Sequence, residues 1–277
     1  MKQELIDFKK HYLSVADQIP EDSIYFKANV HKYRHSIDVL RIGQQLINEE
    51  PELLNTGDDF KTQARRALLF HDIGRFDENI KRYCFEQNHQ ALSAVSNKYD
   101  HGLLGFEILK NMPLYNDVRI LFAVRFHGKL SKEIFTSEMW QTVKNLPQKD
   151  EILKILYLVQ DADKLANIEA AKLRNRLREN IFYQQLTPEN IIGPLSASVK
   201  EQFFTQNIVS SQNLRTYADQ ILMVLSWIFD LKYTRSYQLF LEKEYDVYLL
   251  QELATCQLTT TEYQHIKNIL YAKKIKR

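Results

Sequence analysis

Residues 64–76 read ARRALLFHDIGRF, from Ala64 to Phe76. Ala64, Ala67, Leu68 and His71 recur at spacings of three and four, the period of an amphipathic helix, so an imidazole continues a stripe that is otherwise apolar. Asp72 follows at once, and Gly74 reads as the stop signal of that helix. Neighbours on a helix point about 100° apart, so both side chains can turn toward one ligand only near such an end. A buried polar group without a partner costs roughly 1–7 kcal/mol depending on the reference state. An ionisable pair on a core-facing stripe therefore calls for a partner.

Working outward, four more segments repeat the pattern. In KYRHSIDVLRIGQQL, His35 shares a face with Val39, Ile42 and Leu46. In DHGLLGFEILK, His101 leads Leu104, Gly105 and Ile108. In RILFAVRFHGKL, His127 ends the stripe Ile120, Ala123, Val124, directly before Gly128. In EILKILYLVQDADKLANIEA, Asp163 sits among Ile152, Leu156, Val159, Ala166 and Ala170. Asp161 competes with it, because its own stripe with Leu158, Leu165 and Ile168 is also partly apolar. One histidine on an apolar face is more often a hydrogen-bonded core residue than a ligand. Four, with two aspartates, spread over five helices, point to a divalent metal, since imidazole and carboxylate are the ligands of Mn, Fe, Co, Ni and Zn.

The rest of the chain agrees with a helical protein. Seven glycines and six prolines in 277 residues are far below the roughly 12% of average usage. So few breakers exclude collagenous, linker-rich and disordered classes and argue against a many-stranded β-fold. Helices are expected at about 2–17, 28–49, 58–73, 101–111, 116–127, 149–179, 196–207, 212–243 and 259–275, with an irregular flap over 76–99. Phe76, Tyr83 and Phe85 in that flap are weighed as stacking partners for a base. NIFYQQLTPENIIGP breaks the pattern at 180–195 and marks the expected boundary between a metal-binding domain, 1–180, and a C-terminal helical extension, 181–277, packed on the same core. The extension's apolar helices offer a homodimer face. A net charge of +2 disfavours nucleic acid as partner and favours a small molecule. Cys84 and Cys256 form neither a CxxC motif nor a disulfide framework. No 18-residue apolar run is present, which excludes a membrane partner, and the chain is expected to be cytoplasmic.

The ordered set His35, His71-Asp72, His101, His127, Asp163 resembles the HD-domain superfamily of metal-dependent phosphohydrolases, over about residues 28–170. RHSIDVLRIG, LLFHDIGRF, DHGLLGFEIL, a histidine ending the next helix, and DADKLAN each look like the corresponding family segment. The two intermediate histidines resemble the subset that binds two metals, including the HD-GYP phosphodiesterases. The GYP signature is absent, because Gly128 is followed by KLSKEIF. The resemblance implies an all-α helical bundle with one or two divalent transition metals, Fe or Mn first, then Ni, Co, Zn or Mg. It implies His35, His71, Asp72 and Asp163 on the first metal, and Asp72 bridging to a second held by His101 and His127. It also implies hydrolysis of a phosphomonoester or phosphodiester, of a nucleotide or other small molecule, by a metal-bridging hydroxide.

Asp72 would then be catalytic through the metals, and Arg75 a phosphate clamp at the family's basic position after the HD pair. Lys164 and His31 are further candidates for substrate contact. Asp161 is left as a carboxylate that orients a ligand histidine. Two other activities fit the same residues. One is a di-iron oxygenase of this superfamily, like myo-inositol oxygenase. The other is a regulatory module that binds a nucleotide without turnover.

Overall fold

A computed structural model describes residues 2–87, 100–174 and 193–275. Every regular element among them is a helix, as the scarcity of glycine and proline predicts. None is long and apolar enough to cross a membrane. The chain divides into two compact units, Met1–Ala166 and Asn167–Arg277. The expected boundary at 180–195 falls almost wholly outside the described residues.

The first unit begins with α1 (Lys2–Ala16), α2 (Ile24–Glu49), the single turn α3 (Pro51–Leu54) and α4 (Asp58–Phe70). It continues with α5 (Gly74–Gln87), α6 (His101–Lys110), α7 (Val118–Phe126), the short α8 (Ser131–Phe135) and α9 (Glu138–Val143), and the start of α10 (Lys149–Arg174). Four of these starts carry a side-chain cap, Ser137 Oγ accepting from Trp140 N at α9 among them. Ser23 accepts from Tyr25 N, Asp100 from Gly102 N and Leu103 N, and Asp117 from Arg119 N, each satisfying amides that a helix start leaves unpaired. α2 packs on α4 and α5, α6 lies against both α5 and α7, and α4 lies against α7. The stripe read from the sequence is the buried one, with Ala64, Ala67, Leu68 and Phe70 inaccessible to solvent.

The junction after α4 differs from the sequence reading. The helix stops at Phe70, three residues earlier than expected, and His71, Asp72 and Ile73 form a tight turn closed by Ile73 N donating to Phe70 O at 3.0 Å. Gly74 is the first residue of α5, so it caps nothing, and its φ is not positive. Its value is closeness. A Cβ there would strike His101 O and lie 2.5 Å from Gly105 N, so only glycine lets the start of α5 meet the start of α6. Aromatic rings brace the same junction: Phe8 packs against Tyr33, Phe70 and Phe76 with ring centroids 5.4–5.7 Å apart. Phe76 is therefore core and cannot stack on a base. Residues 76–87 of the expected flap are helical, as part of α5; 88–99 lie outside the described residues. Tyr83 packs edge-on against Tyr25.

The second unit holds the end of α10, then α11 (Ala197–Gln206), α12 (Tyr217–Ser226), α13 (Thr234–Glu242), α14 (Tyr245–Ala254) and α15 (Thr260–Ile275). The single helix expected over 212–243 is broken by a 3-10 turn at Trp227–Phe229 and a loop to Tyr233. All ten residues of α12 are buried, and no glycine or proline stands between 212 and 243 to mark the break in the sequence. α14, absent from the sequence reading, packs on α12, α13 and α15. Asp219, fully buried, ties the unit's start together by accepting from the backbone N–H groups of Ser196, Arg215 and Thr216.

Candidate metal centre

The six side chains read as ligands come from five places and converge inside the first unit. His35 stands on α2, His71 and Asp72 in the turn after α4, His101 at the first position of α6, His127 just past α7, and Asp163 on α10. Two groups place ligand atoms within 4.8 Å of one another: His35, His71 and Asp163, and His71, Asp72 and His127. His101 joins the second, its Nε2 3.2 Å from His127 Nε2 and 3.6 Å from Asp72 Oδ1.

Asp72 lies between the groups. Its Oδ2 is 3.6 Å from His71 Nε2, while its Oδ1 is 3.4 Å from His127 Nε2. The carboxylate thus offers one oxygen to each side. Asp163 Oδ1 accepts from His35 Nε2 at 2.8 Å and stands 3.8 Å from His71 Nε2.

Tautomers follow from the backbone. His71 Nδ1 donates to Leu68 O, and His127 Nδ1 donates to Val124 O, each at 2.9 Å. A carbonyl can only accept, so each Nδ1 carries a proton, and a neutral ring held in this way keeps its lone pair on Nε2. Burial, outweighing the attraction of Asp72 and Asp163, pushes the His71 pKa down to about 4, so the ring is neutral at pH 7. His71 Nε2 is buried without a hydrogen-bond partner. Its lone pair faces two carboxylate oxygens, an arrangement that repels unless a cation joins it. Metal-ligating histidines are commonly held in this way, the far nitrogen bonded to a carbonyl and the near one free. The donor set fits a divalent metal.

The other groups complete the electrostatics. Burial also drives His101 well below the usual histidine range, helped by the charge of Arg75. Burial pulls His127 down, but its bond to Asp72 and the charges of Asp72 and Asp163 together move it up. Asp72 is buried, yet Lys32 and His71 hold its carboxyl well below the usual range. Lys32 Nζ donates to Asp72 Oδ2 at 2.8 Å. This lysine was missed in the sequence, although it lies three residues before His35 on α2, a spacing that shares a face.

Arg75 stands in the first turn of α5 with Nε 3.6 Å from Asp72 Oδ1 and Nη1 donating to the buried Glu78 at 2.8 Å. Its Nε is buried without a hydrogen-bond partner. His31, one turn before His35, is half-buried, with the two rings parallel and 6.3 Å apart, and it lies outside both groups. Asp161 is fully buried on α10, two residues before Asp163, and Lys164 follows, half-buried.

The HD-domain pattern matches residues 33–168, a span that contains all six converging residues. Residues 33–168 are an HD domain. No curated protein and no solved structure matches it. HD domains bind divalent metal and largely comprise metal-dependent hydrolases, and the His and Asp groups here are compatible with that role. The HD pair itself is His71-Asp72, on the tight turn between α4 and α5. Of the charged groups at Asp72, Lys32 lies one residue before the matched span and Arg75 inside it.

Proposed function

We propose that this HD-domain protein is a metal-dependent phosphohydrolase acting on a phosphomonoester or phosphodiester of a small molecule, through a centre of two divalent cations. One observation carries the reading: Asp72 turns one oxygen toward His71 and the other toward His101 and His127. His35, His71, Asp163 and Asp72 would hold one metal, and His101, His127 and Asp72 the other. When bound, such a pair supplies acidified water at neutral pH and neutralises charge developing on phosphoryl oxygens. Iron or manganese suits imidazole mixed with carboxylate.

The chain's own groups supply the rest. Attack of water on phosphorus breaks the P–O ester bond, and the alcohol departs with a proton. Lys32 and Arg75 flank the two oxygens of Asp72 and are the cations a phosphoryl group would meet there. Glu78 anchors Arg75 through Nη1, which leaves Nε–H available to a phosphoryl oxygen. The shell of α2, α4 and α7 around the histidines keeps bulk water away from His71, which is inaccessible to solvent.

The test is turnover of p-nitrophenyl phosphate and bis-p-nitrophenyl phosphate by the full chain loaded with Mn²⁺ or Fe²⁺. Asp72→Ala should lower kcat/KM by at least a hundredfold and leave less than half of the bound metal. Turnover equal in wild type and variant, or no turnover alongside metal-dependent oxygen consumption, would overturn the reading.

A further inference from the structure

Beside the His101–His127 pair the protein opens a cavity of about 240 Å³, with Asp100, Arg125 and Lys129 in its wall. Neither cation figured in the sequence reading, yet both flank the ligand histidine at 127, two residues before and two after. Asp100 organises them. Its Oδ2 accepts from Arg125 Nη1 at 2.8 Å and lies 3.3 Å from Lys129 Nζ, while its Oδ1 caps α6 by accepting from Gly102 N and Leu103 N. The Arg125 guanidinium also lies over the Phe126 ring, 5.3 Å from its centre.

In the wall itself Asp100 faces both cations, and Glu133 on α8 comes within 3.9 Å of Lys129 Nζ from outside it. Of the five N–H donors of Arg125, Nη1 alone has a side-chain acceptor. Cations already held in place bind an anion with less ordering cost than free side chains. They do not stand on Asp72, where Lys32 and Arg75 do, so they face a different part of a substrate. The volume falls below the roughly 300–1,000 Å³ of sites for drug-sized ligands, which favours a compact occupant.

We propose that this cavity takes the second anionic group of a compact, doubly anionic phosphate ester, a phosphate or carboxylate held by Arg125 and Lys129. The inference rests on the phosphohydrolase reading for the position of the first phosphate, and names the substrate class of that site.

Hydrolysis-resistant phosphonates test it by calorimetry on the Mn²⁺-loaded full chain. Propylphosphonate has one anionic group, 3-phosphonopropionate adds a carboxylate, and ethane-1,2-bisphosphonate adds a second phosphonate. Wild type should bind at least one doubly anionic probe tenfold or more tightly than propylphosphonate, and the tighter of the two names the second group. Arg125→Gln and the more exposed Lys129→Gln should each bring the ratio below threefold, while Lys129→Arg should keep it. No preference in wild type, or a preference that survives both Gln substitutions, would overturn the proposal. Because the readout is binding, a preference without turnover refutes the hydrolase reading alone, and turnover without a preference refutes the subsite alone.

Discussion

At the scale of single residues, Asp72 stands between the two histidine groups, and its surroundings make two predictions. Lys32 compensates a carboxylate that is otherwise buried, and removing one partner of such a pair costs about 3–5 kcal/mol because it leaves the other charge unpaired. Lys32→Met should therefore destabilise the metal-free protein by about 3 kcal/mol, and Mn²⁺ should raise the melting temperature more in the variant than in wild type, since the cation replaces the lost charge. Equal shifts by scanning calorimetry would show that Lys32 does not compensate Asp72. The second prediction concerns His71. Its folded pKa of about 4 lies below the ordinary 6.5, so the unfolded chain takes up a proton that the folded site refuses. That contribution to stability is complete above pH 6.5 and is lost as pH falls toward 4, on the order of 2 kcal/mol by pH 5. His101 acts in the same sense and His127, with its raised pKa, in the opposite one. The urea midpoint of the metal-free protein should fall from pH 7 to pH 5; a flat or rising midpoint would contradict this account.

At the scale of elements, the contact between α5 and α6 brings His101 to Asp72, and it depends on Gly74 lying against the backbone of His101 and Gly105. Alanine there gains up to about 1 kcal/mol in helix propensity but forces backbone apart, and overpacking of that kind costs about 1–3 kcal/mol. Gly74→Ala should thus lower stability by about 1–2 kcal/mol net, and should weaken Mn²⁺ binding by displacing His101. Unchanged metal affinity by calorimetry would remove this contact from the positioning of the site. The element level also shows where sequence reading succeeds and where it stops. α4, α6 and α10 were legible because each has one apolar face and one polar face, so the period of 3.6 is visible. The break at 227–233 was not, because no glycine or proline marks it. Gly74, expected just past the end of α4, instead opens α5: a glycine that ends one helix and a glycine that admits a neighbour look alike until the neighbour is known.

At the scale of the whole molecule, all six converging residues belong to the unit Met1–Ala166. Metal binding should therefore protect backbone amides around 31–35, 71–76, 101–105 and 127 from hydrogen exchange and leave 197–275 unchanged on the same timescale. Protection that extends equally over the second unit would show that metal binding is coupled to both. The six ligand-type residues, the helical class and the HD resemblance were determined by the sequence alone, because a polar group on an apolar stripe is improbable without a partner, and that improbability is written in local spacing. Lys32, Glu78, Arg125 and Lys129 were not legible, since charged residues at helical spacing are the ordinary composition of a solvated surface. Only the tertiary structure shows which of them face Asp72 or the cavity. The orientation of Asp72, one oxygen to each histidine group, likewise depends on five segments separated by up to 128 residues along the chain. Local periodicity can state that a residue points inward; what it meets there is fixed by packing between helices.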